Sequence, residues 1–148
     1  MTRTEELRQH GARSRTDAPV PTEDAKGLLV ATLGGVDPWA KLEELKQAGE
    51  RRARASGIAY QLEEQRKIVL AKKASDIANL NARENLSEAK LERLARASDA
   101  YQDHVNGTAE AIAEEKRTEA EYWRIRADLD WCAKAIAHWN AVSRLEEP

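Results

Sequence analysis

The chain has little of what most folds and catalytic sites are built from. Its 148 residues contain no phenylalanine, four prolines and a single cysteine. One cysteine excludes an internal disulfide and fits a reducing compartment. No apolar run approaches the roughly 18 residues of a membrane span, and no signal-peptide pattern opens the chain. The net charge is only −2, which argues against a purely electrostatic binder of nucleic acid or membranes.

What the chain does contain is typical of long helices. Alanine, glutamate, lysine, arginine and leucine make up 82 of the 148 residues. Residues 58–106 hold neither glycine nor proline, so few residues break a helix there. The sequence therefore predicts an all-α fold with a flexible tail over 1–21 and one domain over 22–148, with helices over about 22–33, 38–78 and 86–145.

Capping residues mark where the first two helices begin. Thr22 suits the N-cap of the short helix, and Gly34 and Gly35 end it. Asp37 suits the next N-cap, and Pro38 suits a first helical position because its missing N–H has no helical partner there.

Two segments are candidates for the reversal that a compact fold needs. Residues 79–88 carry three asparagines and two N-cap patterns, Asn81 with Glu84 and Asn85 with Glu88. The other candidate is Asn106-Gly107-Thr108. We favour the first, because acids beyond Gly107 continue a helical pattern. This predicts a long antiparallel, coiled-coil-like helical hairpin centred near residue 81.

The predicted hairpin has arms of opposite charge. Residues 38–76 carry nine positive and six negative side chains, whereas residues 99–130 carry four and nine. A centre near 81 places Trp39 beside Trp123. The same centre places three arginines of the first arm opposite three glutamates of the second: Arg51, Arg52 and Arg54 face Glu110, Glu114 and Glu115. Small residues of the first arm should let the two arms approach closely. These residues are Ala48, Gly49, Ala53, Ala55, Ser56 and Gly57.

The second arm is longer than the first, so we expect the short N-terminal helix to pack on its distal end. An apolar stripe runs along that end through Tyr122, Ile125, Leu129, Cys132, Ile136 and Trp139. Trp123, Trp131 and Trp139 are eight residues apart and spread over about 160°. Three alternatives stay open: core of a three-helix domain, packing between copies, or a surface for another protein. The candidate partner or oligomer surface is Tyr122, Trp123, Trp131 and Trp139.

No pattern of residues predicts catalysis. His10, His104 and His138 are isolated from other metal-ligand types, and Cys132 on the apolar stripe reads as a buried, inert thiol. We expect no enzymatic activity, metal, cofactor or small-molecule substrate. Two basic clusters are candidates for contact with single-stranded DNA: Arg51, Arg52 and Arg54, then Arg66, Lys67 and Lys73.

Three features beyond residue 60 share one outline: residues 66–71, the pattern Tyr101, His104, Val105, Gly107, and a tryptophan-bearing distal helix. In these features residues 60–146 resemble small, mostly uncharacterised helical proteins of tailed phages and prophages. Genes for several such proteins lie near recombination or replication genes. The resemblance implies this context, in a bacterial cytoplasm, more than an activity. Together with the residue patterns above, it predicts a non-enzymatic, oligomeric helper of DNA recombination or replication. The alternatives are an inhibitor of a host nuclease or defence complex, and a structural virion or assembly component.

Overall fold

A computed structural model describes residues 22–145, which form helices and turns without a strand. The chain divides into two compact units, Met1–Asp37 and Pro38–Pro148. In the described part of the first, α1 spans Glu23–Thr32, and the Thr22 hydroxyl accepts a hydrogen bond from the Ala25 amide. Gly34 and Gly35 then adopt positive φ angles, which glycine tolerates without strain. The predicted start and end of this helix are confirmed. The predicted tail lies outside the described residues, and packing of α1 on the distal end stays a prediction.

The second unit is a helical hairpin. It contains α2 (Pro38–Leu80), α3 (Glu88–Arg96) and α4 (Asp99–Leu145). Arg51 contacts Glu121 while Leu62, farther along α2, contacts His104, so α2 and α4 run antiparallel. The all-α class and the paired long helices are confirmed.

The chain reverses within the asparagine-rich segment that the sequence predicted, but the residue that caps the next helix is a different one. The Asn81 side chain donates to the Ile77 carbonyl at the end of α2, and Asn85 takes a left-handed φ of 45°, which asparagine adopts more readily than most residues. The N-cap of α3 is Ser87, whose hydroxyl accepts from the Lys90 amide. The predicted N-cap roles of Asn81 and Asn85 are therefore wrong.

The second arm is two helices, not the one predicted over 86–145. It breaks at Ala97 and Ser98, where the Ser98 hydroxyl donates to the Ala95 carbonyl and accepts from the Tyr101 amide. A serine that satisfies backbone groups at both helix ends favours such a break. Gly107 lies inside α4, so the helix continues through it as expected.

The pairing of the arms differs from the predicted register. The connecting loop covers residues 81–87, so its centre lies about three residues later than predicted and partners shift by about six. Arg51 and Arg52 contact Glu121 and Glu119, not the predicted Glu110, Glu114 and Glu115. Trp39 does not lie beside Trp123, because Trp123 contacts Arg52, thirteen residues or about 20 Å along α2 from Trp39.

Small side chains form most of the core between the arms. Ala48 and Ala59 are almost completely buried, as are Thr118, Ile125 and Cys132 on α4. A Cβ added at Gly49 would lie 3.6 Å from the Tyr122 ring, an ordinary packing distance. The predicted close approach thus occurs at Ala48, Gly49 and Ala55, while Ala53 and Gly57 face solvent.

Candidate functional site

The distal part of α4 presents tryptophans to solvent. Trp131 and Trp139 are 53% and 52% exposed, and Val142 is 39% exposed. On a helix of 3.6 residues per turn these three side chains lie within about 80° of one another. Large apolar side chains clustered on one face commonly mark a contact surface. We call Trp131, Trp139 and Val142 the tryptophan face.

The other two predicted members of this surface have neighbours within the hairpin. The Arg52 guanidinium lies 5.2 Å from the Tyr122 ring centre and 5.6 Å from that of Trp123. Arg126 also lies 5.6 Å from the Trp123 ring centre, and the two rings meet edge to face at 5.3 Å. Cations over aromatic faces are favourable. Tyr122 is half-buried against α2, and Trp123, although 49% exposed, is held beside two arginines.

The first basic cluster is largely engaged in pairing the arms. Arg51 reaches Glu121 at 2.9 Å and Arg52 reaches Glu119 at 3.3 Å, while Lys41 reaches Asp128 at 3.6 Å. The Arg51 and Arg52 pairs are partly exposed and contribute about 0–1 kcal/mol each, so they define register more than stability. Arg54 is exposed and forms no ion pair with another described residue, so it is the cation of this cluster that faces solvent freely.

Two charged pairs also shift the pKa values of their members. Glu114, predicted to face an arginine of the first arm, instead accepts hydrogen bonds from Arg117 on its own helix at 2.6 and 2.8 Å. These bonds lower the Glu114 pKa and raise the Arg117 pKa. A hydrogen bond to Glu44, with attraction from Glu44 and Asp128, raises the Lys41 pKa.

The second basic cluster borders a cleft between α2 and α4. Arg66 and Lys67 line it, and its volume is about 320 Å³. Lys73 lies seven residues beyond Arg66 on the same side of α2 and is half-buried. The remaining lining residues are Glu63 from α2 and Val105, Thr108, Ala109 and Ile112 from α4. We call this cavity the Arg66 cleft.

His104 links the two arms, and Cys132 is buried. The His104 ring nitrogen Nε2 lies 2.9 Å from the Leu62 carbonyl oxygen, so it donates a hydrogen bond across the two arms. Cys132 is buried, as its place on the apolar stripe predicted. Among residues 22–145 no cluster of three or more histidine, cysteine and acidic side chains is arranged to hold a metal. His10 lies outside the described residues.

No protein-family model, curated protein or solved structure matches this chain. Within the part of the chain that the structure describes, no helix has the length and apolar character needed to cross a membrane.

Sequence reasoning found the cations but missed the cleft. The residues of the Arg66 cleft belong to two helices that are about 40 positions apart in the chain, so only the true register brings them together. The sequence feature that could have indicated the cleft is the charge at Glu63, Arg66 and Lys67. Charged side chains there leave that part of the helix interface without apolar side chains to fill it.

Proposed function

We propose that this protein is a non-enzymatic accessory factor that binds other macromolecules in phage-type DNA recombination or replication. The observation that carries the proposal is the tryptophan face on α4. The resemblance of residues 60–146 to small helical phage proteins supports the biological context. The cations that do not pair with the opposite arm support contact with single-stranded DNA.

The chemistry of the tryptophan face supports association with a second copy of this chain. Tryptophan is enriched among the residues that contribute most to protein interfaces. Trp131 and Trp139 each lie four residues from Ala135, a small residue of the same helix. Two copies of α4 crossing antiparallel at Ala135 therefore bring Trp131 of one copy opposite Trp139 of the other. Such self-complementarity is what a two-fold symmetric interface requires.

Light scattering on the full chain tests this association. We expect a mass of at least twice that of one chain, and a single-chain mass for the double variant Trp131→Ser with Trp139→Ser. Trp123→Ser is the matched control, because Trp123 is similarly exposed but lies outside the tryptophan face. A single-chain mass for the unaltered protein at high concentration would contradict self-association.

The unpaired cations support binding of single-stranded DNA. Arg54, Arg66 and Lys67 are exposed, and no described residue forms an ion pair with them. Binding of phosphates releases counterions, so affinity should fall steeply with salt. Fluorescence anisotropy with a labelled oligothymidylate, at about 50 and 200 mM salt, measures this dependence. Absence of binding at the lower salt concentration contradicts the DNA part of the proposal.

A second candidate, an inhibitor that docks on a basic nuclease surface, is favoured by the acids of α4. Asp99, Asp103 and Glu110 are exposed and form no ion pair with another described residue. An acidic helix that displaces nucleic acid from a basic site uses the same electrostatic attraction. Inhibition of a purified bacterial exonuclease by a protein without DNA affinity would favour this candidate over the first.

A further inference from the structure

The Arg66 cleft has the dimensions and chemistry of a site for one nucleotide. We infer that it holds a single base and the adjoining phosphate of single-stranded DNA, an inference that rests on the DNA-binding part of the proposed function. The inference adds which basic cluster binds DNA. Arg66 and Lys67 contact the strand, whereas Arg51 and Arg52 form ion pairs between the two helices of the hairpin.

The cleft exists because charged residues stand where the interface needs apolar ones. Nearer the distal end, Ala55 and Ala59 are buried against α4. The next turns of α2 present Glu63, Arg66 and Lys67, whose charged ends stay in water because burying an unpaired charge is costly. The opposite wall of α4 is therefore only partly covered: Thr108 is buried, Val105 and Ile112 are half-buried, and Ala109 is exposed.

The size and lining of the cleft limit what it accepts. About 320 Å³ is at the lower end of the roughly 300–1,000 Å³ of small-ligand sites, which suits one flat ring system. Val105, Ala109 and Ile112 supply an apolar surface. A ligand that covers it and meets Arg66 and Lys67 has an apolar part and an anionic part, as a nucleotide does.

The two cations have different tasks in this arrangement. Bases of single strands stack on guanidinium planes as well as on aromatic rings, so Arg66 is suited to cover the base. Lys67 is a point charge suited to the phosphate. Lys73 lies about 10 Å farther along α2 from Arg66, so a strand that leaves the cleft toward the loop passes a further cation. The Glu63 carboxylate at the cleft opposes the phosphate and limits affinity.

The test measures the affinity of the full protein for two labelled oligonucleotides of equal length by fluorescence anisotropy. One is oligothymidylate, and the other has the same number of phosphates but abasic sugars in place of the nucleosides. Stacking contributes enough per base that oligothymidylate should bind about fivefold tighter or more. Ala109→Leu, which fills the cleft without changing charge, should remove this difference. Circular dichroism verifies that this variant remains folded.

Charge variants give effects of opposite sign. Arg66→Gln combined with Lys67→Gln should weaken oligothymidylate binding about tenfold or more and lower its salt dependence. Glu63→Gln should strengthen binding. Lys46→Gln is the matched control: it removes one exposed cation from the same helix, about 30 Å from Arg66, and should change affinity less than twofold.

The outcomes separate this inference from the proposed function. Equal affinity for the two oligonucleotides, or no effect of Ala109→Leu, overturns the nucleotide site while DNA binding stands. No binding of either oligonucleotide at low salt overturns both the site and the DNA part of the proposed function.

Discussion

The hairpin has a closed section and an open section, although the same two helices form both. In the closed section, residues 41–52 of α2 face residues 119–128 of α4, with Ala48 buried between them and ion pairs at the edges. In the open section, residues 62–67 face residues 104–112 across the Arg66 cleft. There the His104 bond to the Leu62 carbonyl is a polar link between the arms.

The difference shows that side-chain size and charge decide how the helices meet locally. Alanine lets two helices approach closely, and arginine or lysine at the interface edge still reaches an acid on the other arm. Where consecutive turns of one helix carry charges toward the interface, the helices remain paired by their neighbours but leave an open cleft. Stability should therefore be concentrated in the closed section and binding in the open one.

The largest expected effect is truncation of the core. Ile125→Ala in the closed section should lower the free energy of unfolding by about 2–4 kcal/mol, because Ile125 is 2% exposed and a cavity replaces it. Ile112→Ala beside the cleft should cost about 1 kcal/mol, since water already reaches that site. Chemical denaturation measures both. If both variants lowered the free energy of unfolding by the same amount, the closed and open sections would not differ in their contribution to stability.

Glycine replacement should have a smaller effect of opposite sign. Gly57 lies in α2 and Gly107 in α4, and a Cβ at either position meets no atom within 4 Å. Because glycine destabilises helix interiors, Gly57→Ala and Gly107→Ala should each raise the free energy of unfolding by about 0.5–1 kcal/mol. Gly34→Ala is the control that should destabilise, since Gly34 has a φ of 67°. Thermal unfolding compares the three variants.

The ion pairs of the closed section should contribute little energy. A double-mutant cycle with Arg51→Gln and Glu121→Gln should give a coupling of about 0.2–1 kcal/mol that decreases with salt. Arg54→Gln provides the baseline, because Arg54 has no ion-pair partner among the described residues. Coupling well above this range would mean that charge, and not the alanine core, carries the stability of the section.

The smallest expected effect is the acid dependence of the Glu114–Arg117 pair. The pKa of Glu114 is lowered by its hydrogen bonds from Arg117, so its contribution is present above the unfolded-state pKa. It is lost as pH falls through the lower folded-state pKa. In the Glu114→Gln variant, Tm should decrease slightly less as the pH falls than it does in the unaltered protein. In the control variant Glu110→Gln, the decrease of Tm should match that of the unaltered protein. Scans from neutral pH to about pH 2 compare them.

Local features of the sequence predicted the elements well. The caps at Thr22, the start at Pro38 and the asparagine-rich reversal depend on neighbouring backbone groups, so a few residues suffice to recognise them. The break at Ser98 was missed because a single serine inside a helical pattern competes with a strong background of helix-forming residues. The apolar stripe predicted the burial of Ile125 and Cys132, but its last member, Trp139, is 52% exposed.

Pairwise contacts were predicted poorly, since each depends on the register. A loop centre displaced by about three residues moves partners by about six, which is more than a helical turn. Arg52 therefore contacts Glu119, Tyr122 and Trp123, and none of these was its predicted partner. The Arg66 cleft was invisible for the same reason.

Composition and the asparagine-rich segment by themselves determined that the described chain is helical, where it reverses and that Ile125 and Cys132 are buried, because those properties follow from patterns within a few turns. The tertiary structure decided which charges neutralise one another, which tryptophans face water and where the paired helices part. Those outcomes depend on how residues distant in the chain are aligned across the two helices. Many weak contacts along the interface set that alignment together, and no single contact determines it.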